Sequence, residues 1–195
     1  MTHVESAVLE SAPARPAPLA NRLIAALAGA VIVAAAAQVA ALLRGTPVPV
    51  TLQPAAALIV GGLLGPRFGA AALVMYLAMG AAGLPVFAPS PTLPPGVARL
   101  FGPTGGYLLA YPVAAALTGL IVARWRGSMP ACLLGPLCGC AVILAGGWAQ
   151  LSVMTGDPAS AYATGVAPFL LKDVASVVVA GLLIRGFLPK TRALR

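Results

Sequence analysis

"QPAAALIVGGLLGPRFGAAALVMYLAMGAA" (residues 53–82) contains two apolar runs parted by the triplet Gly65-Pro66-Arg67. At about 1.5 Å of rise per residue, the first run (53–64) is short for a membrane crossing, and the second (68–82) is little longer. The triplet separates the runs, and in "GPRFG" (65–69) a Pro at a first helical position with Gly one turn on reads as a helix start and close packing. Either both runs cross the membrane, or together they make a re-entrant hairpin that returns to the side it left. The choice sets the side on which every later loop lies.

Charge placement separates the two cases. Further apolar segments lie at about 23–43, 104–123, 130–151 and 168–187, which makes six spans if both runs cross. With the N-terminus in the cytoplasm, the inner side then holds Arg15, Arg22, Arg67, Arg124, Arg126 and Arg185, together with Lys190, Arg192 and Arg195. The outer side holds Arg44 and Arg99, with Lys172 near the outer end of the last helix. That asymmetry follows the positive-inside rule, and a re-entrant pair would put Arg67 on the other side and reverse the later loops. The expected fold is an all-α integral membrane protein with six transmembrane helices and both termini cytoplasmic. Residues 1–22, polar and rich in Pro and Ala, read as a disordered cytoplasmic tail; 23–187 form the membrane domain and 188–195 a basic cytoplasmic tail.

Composition agrees. Of the 195 residues, 60% are hydrophobic and 8% charged, and the mean hydropathy is +0.97. A soluble domain of this length needs more polar surface. Abundant Ala and Gly suit helices that pack closely in lipid. The net charge of +8 would suggest nucleic acid in a soluble protein, but no basic helix or aromatic–basic surface motif occurs, so no nucleic-acid partner is expected. Cys132, Cys138 and Cys140 share one apolar segment and match neither zinc spacing nor a disulfide framework; they read as buried small hydrophobes. "GFLPKT" (186–191) lacks the second glycine and the strand of a phosphate-binding loop. The one histidine, His3, lies in the N-terminal stretch, and no paired carboxylates occur within the spans. Hydrolytic, phosphoryl-transfer and metallopeptidase chemistries therefore lack their parts. The expectation is a protein that is not an enzyme and needs no cofactor or metal; binding and passage remain.

One residue raises a chemical question in "PFLLKDVASVVVAGLLIRGF" (168–187). Asp173 is a carboxylate at the head of an apolar helix, and an ionisable group in lipid is costly unless it faces the bundle interior or a wet cavity. Helix N-terminal capping would explain it, and so would a ligand site near the outer face. Ser176, three residues on, shares its face and offers a hydroxyl. Lys172 is adjacent, about 100° round the helix, so no i,i+4 pair with Asp173 is expected and the outer interface is its ordinary destination. Arg99 is the one charge in the proline-rich outer loop 83–103, placed to clamp a carboxylate. Phe87, Phe101, Tyr107 and Tyr111 flank or follow that loop and either wall an apolar cavity or simply pack. Thr51 and Gln53 close the first outer connector, as helix caps or as part of the same site.

Four blocks occur in order: "PVPVTLQ" (47–53), "GLLGPRFGAAALVMYLAMGAAGLPVFA" (62–88), "FGPTGGYLLAYPVAAAL" (101–117) and "PFLLKDVASVVVA" (168–180). Together they resemble the BioY family of biotin transporters, the substrate-binding S components of energy-coupling factor (ECF) transporters. The resemblance implies a six-helix S-component fold in a bacterial cytoplasmic (inner) membrane and high-affinity capture of biotin from outside. It also implies a coupling subunit and ATPase subunits as partners, alongside membrane lipid and, as a further option, other copies of the chain. Ala26, Ala30 and Ala34 supply the small-residue spacing that meets the coupling subunit in such families. In the family the last-helix motif reads Asp, two residues, Lys; here Ser176 stands at that position and the lysine stands at 172.

On this resemblance Asp173 accepts from the ureido N–H groups of biotin, and Ser176 or Tyr107 donates to its carbonyl. Phe87 and Tyr111 help enclose the sulfur ring, Arg99 or Lys172 holds the valerate carboxylate, and Gln53 lies on the same side. Gly105 and Gly106 would let the fourth helix approach the ligand. The rival reading is a proton-coupled secondary carrier for a small carboxylate-bearing solute, with Asp173 as the relay. A single acid and the lack of a visible inverted pair of broken helices weigh against it.

Overall fold

The computed structural model describes residues 17–41, 45–90 and 94–195. Most of the stretch expected to be an N-terminal tail, with Arg15, lies outside them, as does Arg44. Helix α1 (Leu19–Gln38) begins four residues before the expected span and buries a stripe of small residues, Ala26, Gly29, Ala30, Val33 and Ala37. Its other face, with Ile24, Leu27, Val31 and Ile32, is exposed. That surface is costly in water and at home in hydrocarbon. Ala26 and Ala30 are fully buried, and Gly29 between them packs toward Val60 and Ala72. The spacing expected to meet a coupling subunit is thus largely consumed by packing inside the chain.

Two short strands follow, β1 (Ala40–Ala41) and β2 (Val50–Thr51), paired antiparallel with Ala40 opposite Thr51. They are a small departure from the all-α expectation. At the same end of α1, Gln38 Nε2 lies 3.3 Å from the carbonyl oxygens of both Pro85 and Phe87 and donates to them.

The 53–82 stretch forms α2 (Gln53–Ala81), broken at Gly65, whose φ of 79° and ψ of 179° lie in a region open to little but glycine. Pro66 then opens the second arm, where its missing N–H costs nothing. The two arms fold back on each other. Gln53 Nε2 donates to Tyr76 Oη at 2.7 Å, whereas 23 residues of continuous helix would hold these residues about 35 Å apart. Near the turn, a methyl group built on Gly69 would come within 2.7 Å of Gly61 Cα. Small residues therefore set how tightly the hairpin closes.

Helices α3 (Gly105–Arg124) and α4 (Met129–Thr155) pack on the hairpin and on each other. Close approach again rests on glycine: a Cβ on Gly61 would sit 2.4 Å from the Ala115 oxygen of α3. The expected loop after α4 is partly helical, as α5 (Pro158–Gly165); Asp157 Oδ1 accepts from the Ala159 N–H at 2.9 Å and Pro158 takes the first helical position. Helix α6 (Leu170–Thr191) completes the bundle. Among the described residues five helical stretches are long and apolar enough to cross a membrane, the α2 hairpin counting as one and α5 with α6 as another.

The stretch expected to be a basic tail is ordered. α6 runs through Thr191, and Arg192–Leu194 forms a 3-10 turn. The Ala17 N–H donates to the Ala193 oxygen at 2.8 Å, and Arg195 Nη2 donates to the Gly119 oxygen at 3.2 Å beside the Gly65 turn. Both ends of the described chain therefore meet at the Gly65 end of the bundle. Arg67, Arg124, Arg126, Arg185 and Lys190 belong to that end, with Arg185 donating to the Gly127 oxygen at 3.0 Å. At the opposite end the described cations are Arg99 and Lys172.

Candidate ligand-binding site

The end of the bundle opposite the Gly65 turn opens into a cavity of about 550 Å³ of non-atom space, its mouth included. β2 and the start of α2 supply Thr51 and Gln53 to its wall; the 83–104 loop supplies Phe87 and Arg99; α3 supplies Tyr107 and Tyr111. From α4 come Ile143 and Leu144, and from the head of α6 come Phe169, Lys172 and Asp173. The sequence-derived candidates Asp173, Lys172, Arg99, Tyr107, Gln53, Phe87 and Tyr111 thus share one chamber, although they span 121 residues of chain (173 − 53 + 1).

Asp173 is 5% exposed, and its Oδ1 has no hydrogen-bond partner. Leaving such an oxygen unmatched costs roughly 1–3 kcal/mol, and more when it is charged. Lys172 Nζ makes an ion pair with that same oxygen. The expectation that Lys172 runs to the outer interface, with no pairing to Asp173, is corrected here: its flexible four-carbon stem lets the ammonium meet the neighbouring carboxylate. The ammonium is close to the carboxylate without a hydrogen-bonding alignment, which is why the oxygen is ion-paired and still orphaned. The same Nζ stands 5.8 Å from the centroid of the Phe169 ring. Tyr107, Tyr111 and Cys140 are the other polar neighbours of the carboxylate.

On the facing wall, polar side chains are held by one another. Gln53 donates to Tyr76 Oη, and Tyr76 Oη donates to the Val86 oxygen at 3.2 Å. The Gln53 N–H donates to Thr51 Oγ1 at 3.3 Å, a two-residue side-chain turn that leads into α2; the capping position itself is Leu52, which offers no side-chain acceptor. Phe87 meets the Tyr76 ring edge to face, centroids 5.4 Å apart at 78°. Arg99, 5% exposed, donates through Nη2 to the Ala88 oxygen. Burial pulls its guanidinium below its ordinary value, against the opposing influence of Tyr76. Tyr107 donates its hydroxyl to the Gly165 oxygen at 2.5 Å, so its proton is already committed and the expected donation to a ligand carbonyl is corrected; its oxygen can still accept. The chamber is therefore apolar-walled, with an under-satisfied carboxylate on one side and a buried cation on the other. Such a set suits a solute with N–H donors at one end and an anionic group at the other. Among the described residues no cluster of three or more His, Cys, Asp or Glu is placed to hold a metal ion.

The BioY family model matches residues 7–193. The chain belongs to the BioY family. A biotin transporter BioY of Thermotoga maritima is 35% identical over 137 residues, covering 70% of this chain and 79% of that protein. A biotin transporter BioY of Rhodobacter capsulatus is 34% identical over 168 residues, covering 80% and 87%. In fold, the chain is similar to a crystal structure of the S-component for biotin from an ECF-type ABC transporter, with a TM-score of 0.77 at 20% identity, over 96% of this chain and 94% of that one.

Two expected site residues of this BioY chain stand elsewhere. Ser176 is half-buried and does not line the cavity. The chamber lies toward the N-terminal end of α6 from Asp173, and helical side chains lean that way, so the residue one turn earlier reaches it. That residue, Phe169, was missed; its spacing of four before Asp173 was the available signal. Gly105 is also off the cavity: a Cβ there would strike the Leu100 oxygen and Gln150. Gly106 faces the Gly146 backbone of α4. These glycines serve chain–chain approach, not approach to a ligand. Ile143 and Leu144 were missed because an apolar helix gives no sign of which turn faces a void.

Proposed function

We propose that this BioY protein binds biotin at the outer face of the cytoplasmic membrane and takes it inward as the S component of an ECF-type transporter. The chain binds and carries; ATP hydrolysis belongs to partner ATPase subunits, joined through a coupling subunit. The arms of the α2 hairpin each cross, so the chain passes the membrane six times, with its two ends on the cytoplasmic side. The cation-rich Gly65 end supports that orientation through the positive-inside rule.

The observation that carries the reading is the buried Asp173 carboxylate in the cavity wall, whose Oδ1 has the Lys172 ammonium beside it but makes no aligned hydrogen bond. The ureido edge of biotin presents adjacent N–H groups, the donors that oxygen lacks. Phe87, Tyr111 and Phe169 give the sulfur ring an apolar enclosure, and Arg99 or Lys172 meets the valerate carboxylate. Ser176 has no part in this arrangement. Calorimetry on the purified protein with biotin, desthiobiotin and biocytin tests it. Tight biotin binding, weakened by loss of the sulfur or by capping of the valerate, is the expected result. Absence of biotin binding refutes it.

A further inference from the structure

We propose that Lys172 is an exchangeable counter-ion: it neutralises Asp173 in the empty cavity and transfers to the carboxylate of the ligand as the ligand's N–H donors take Asp173. The proposal rests on the substrate reading above and adds a specificity device to it.

Three features carry it. Lys172 and Asp173 are consecutive on α6, a relation in which side chains do not naturally face each other, and their contact leaves Oδ1 without a hydrogen bond. A donor arriving from the cavity can align with that oxygen where the neighbouring lysine does not. The pair is also asymmetric: the Asp173 side chain is 7% exposed and that of Lys172 24%, so the carboxylate is fixed deep while the ammonium sits nearer the mouth on a flexible stem. Finally, the Phe169 ring one turn earlier gives the ammonium a surface to slide over as it leaves.

The charge balance gives the consequence. Among the described residues, Asp173, Lys172 and Arg99 are the charged ones lining the cavity, a sum of +1 when all are ionised. A ligand with one carboxylate closes that sum to zero. A ligand with the same ring but an uncharged tail leaves Lys172 with no new partner, so it competes with the ring for Asp173. Recognition of the two ends is thereby coupled: the tail draws off the cation that obstructs the ring.

The test is binding of biotin and of biotin methyl ester to the full chain and to Lys172→Met and Lys172→Arg. In the unmodified protein biotin should bind more tightly than the ester by about tenfold or more. Lys172→Met should weaken biotin while leaving the ester equal or tighter, because the competitor for Asp173 is gone; Lys172→Arg should restore the preference. A purely structural lysine would weaken both ligands alike, and an unchanged biotin-to-ester ratio in Lys172→Met overturns the proposal while leaving the substrate reading intact. If the unmodified protein binds neither ligand, the substrate reading falls, and the proposal with it.

Discussion

Asp173→Asn is the most informative single change. The variant keeps one carbonyl oxygen at the site but replaces the other oxygen with an NH2 group and removes the charge. Facing the ureido edge, an amide presents a donor where an acceptor is needed. A hydrogen bond to a charged group contributes roughly 1.5–3 kcal/mol, so at about 1.4 kcal/mol per decade the dissociation constant for biotin should rise by about 10- to 100-fold. The empty protein should respond differently. Its Oδ1 has no hydrogen bond, and its ion pair with Lys172 joins sequence neighbours in poor alignment. Breaking an ion pair by removing one partner is costly when the other charge is left buried, but the Lys172 side chain is 24% exposed and its flexible stem can carry the ammonium to water, so relief of the buried carboxylate offsets the loss. The melting temperature of the ligand-free variant should therefore hold or rise, while the increase produced by saturating biotin shrinks in step with the lost affinity. Calorimetry and a thermal melt with and without biotin read both quantities. Affinity within twofold of the unmodified protein, or a loss of apo stability that accounts for the weaker binding, refutes the reasoning.

Gly65→Ala should destabilise the fold by about 1–3 kcal/mol through backbone strain, because a Cβ there meets Arg195 only at 3.5 Å, an ordinary contact; detergent melts would read this, and an unchanged midpoint would show that the turn tolerates a side chain. Tyr76→Phe strips the hydroxyl shared by Gln53 and Val86 and should cost roughly 1–3 kcal/mol in stability, with a smaller loss of biotin affinity as Gln53 and Phe87 relax. In a cysteine-free background, Arg67→Cys and Arg126→Cys should label from one face of the membrane and Phe101→Cys from the other; labelling of all three from one face would break the six-pass topology.

The helices were readable where a long apolar run had polar or Pro/Gly punctuation, as at the starts of α3 and α4. The α2 hairpin was readable because Gly65-Pro66 combines a φ that glycine tolerates with a residue that cannot continue a hydrogen-bond ladder. The β1–β2 ribbon was not, since two-residue strands have no periodicity, and α5 was hidden although Asp157-Pro158 is a sound helix start. At the site, charged and aromatic residues identified themselves because lipid makes them expensive. What eluded prediction was direction: Ser176 shares a face with Asp173 yet lies a turn below the void, and Lys172 points by its Cα away from the carboxylate it reaches through its stem. Helix phase gives the angle round an axis; it does not give depth along it.

The stitching at the far end of α1 has a mechanical consequence. Ala40–Ala41 are laced to Val50–Thr51, and Gln38 grips the carbonyls of Pro85 and Phe87, so one helix tip is tethered to both lips of the chamber. A helix of 20 residues is about 30 Å long, and swinging it by about 5° about its far end shifts the tip by about 2.6 Å. Displacement on that scale is larger than the tolerance of a hydrogen bond. The hold of the chamber's lips is thereby coupled to the tilt of α1: a small lean of the helix would break or remake the hydrogen bonds that join its tip to them.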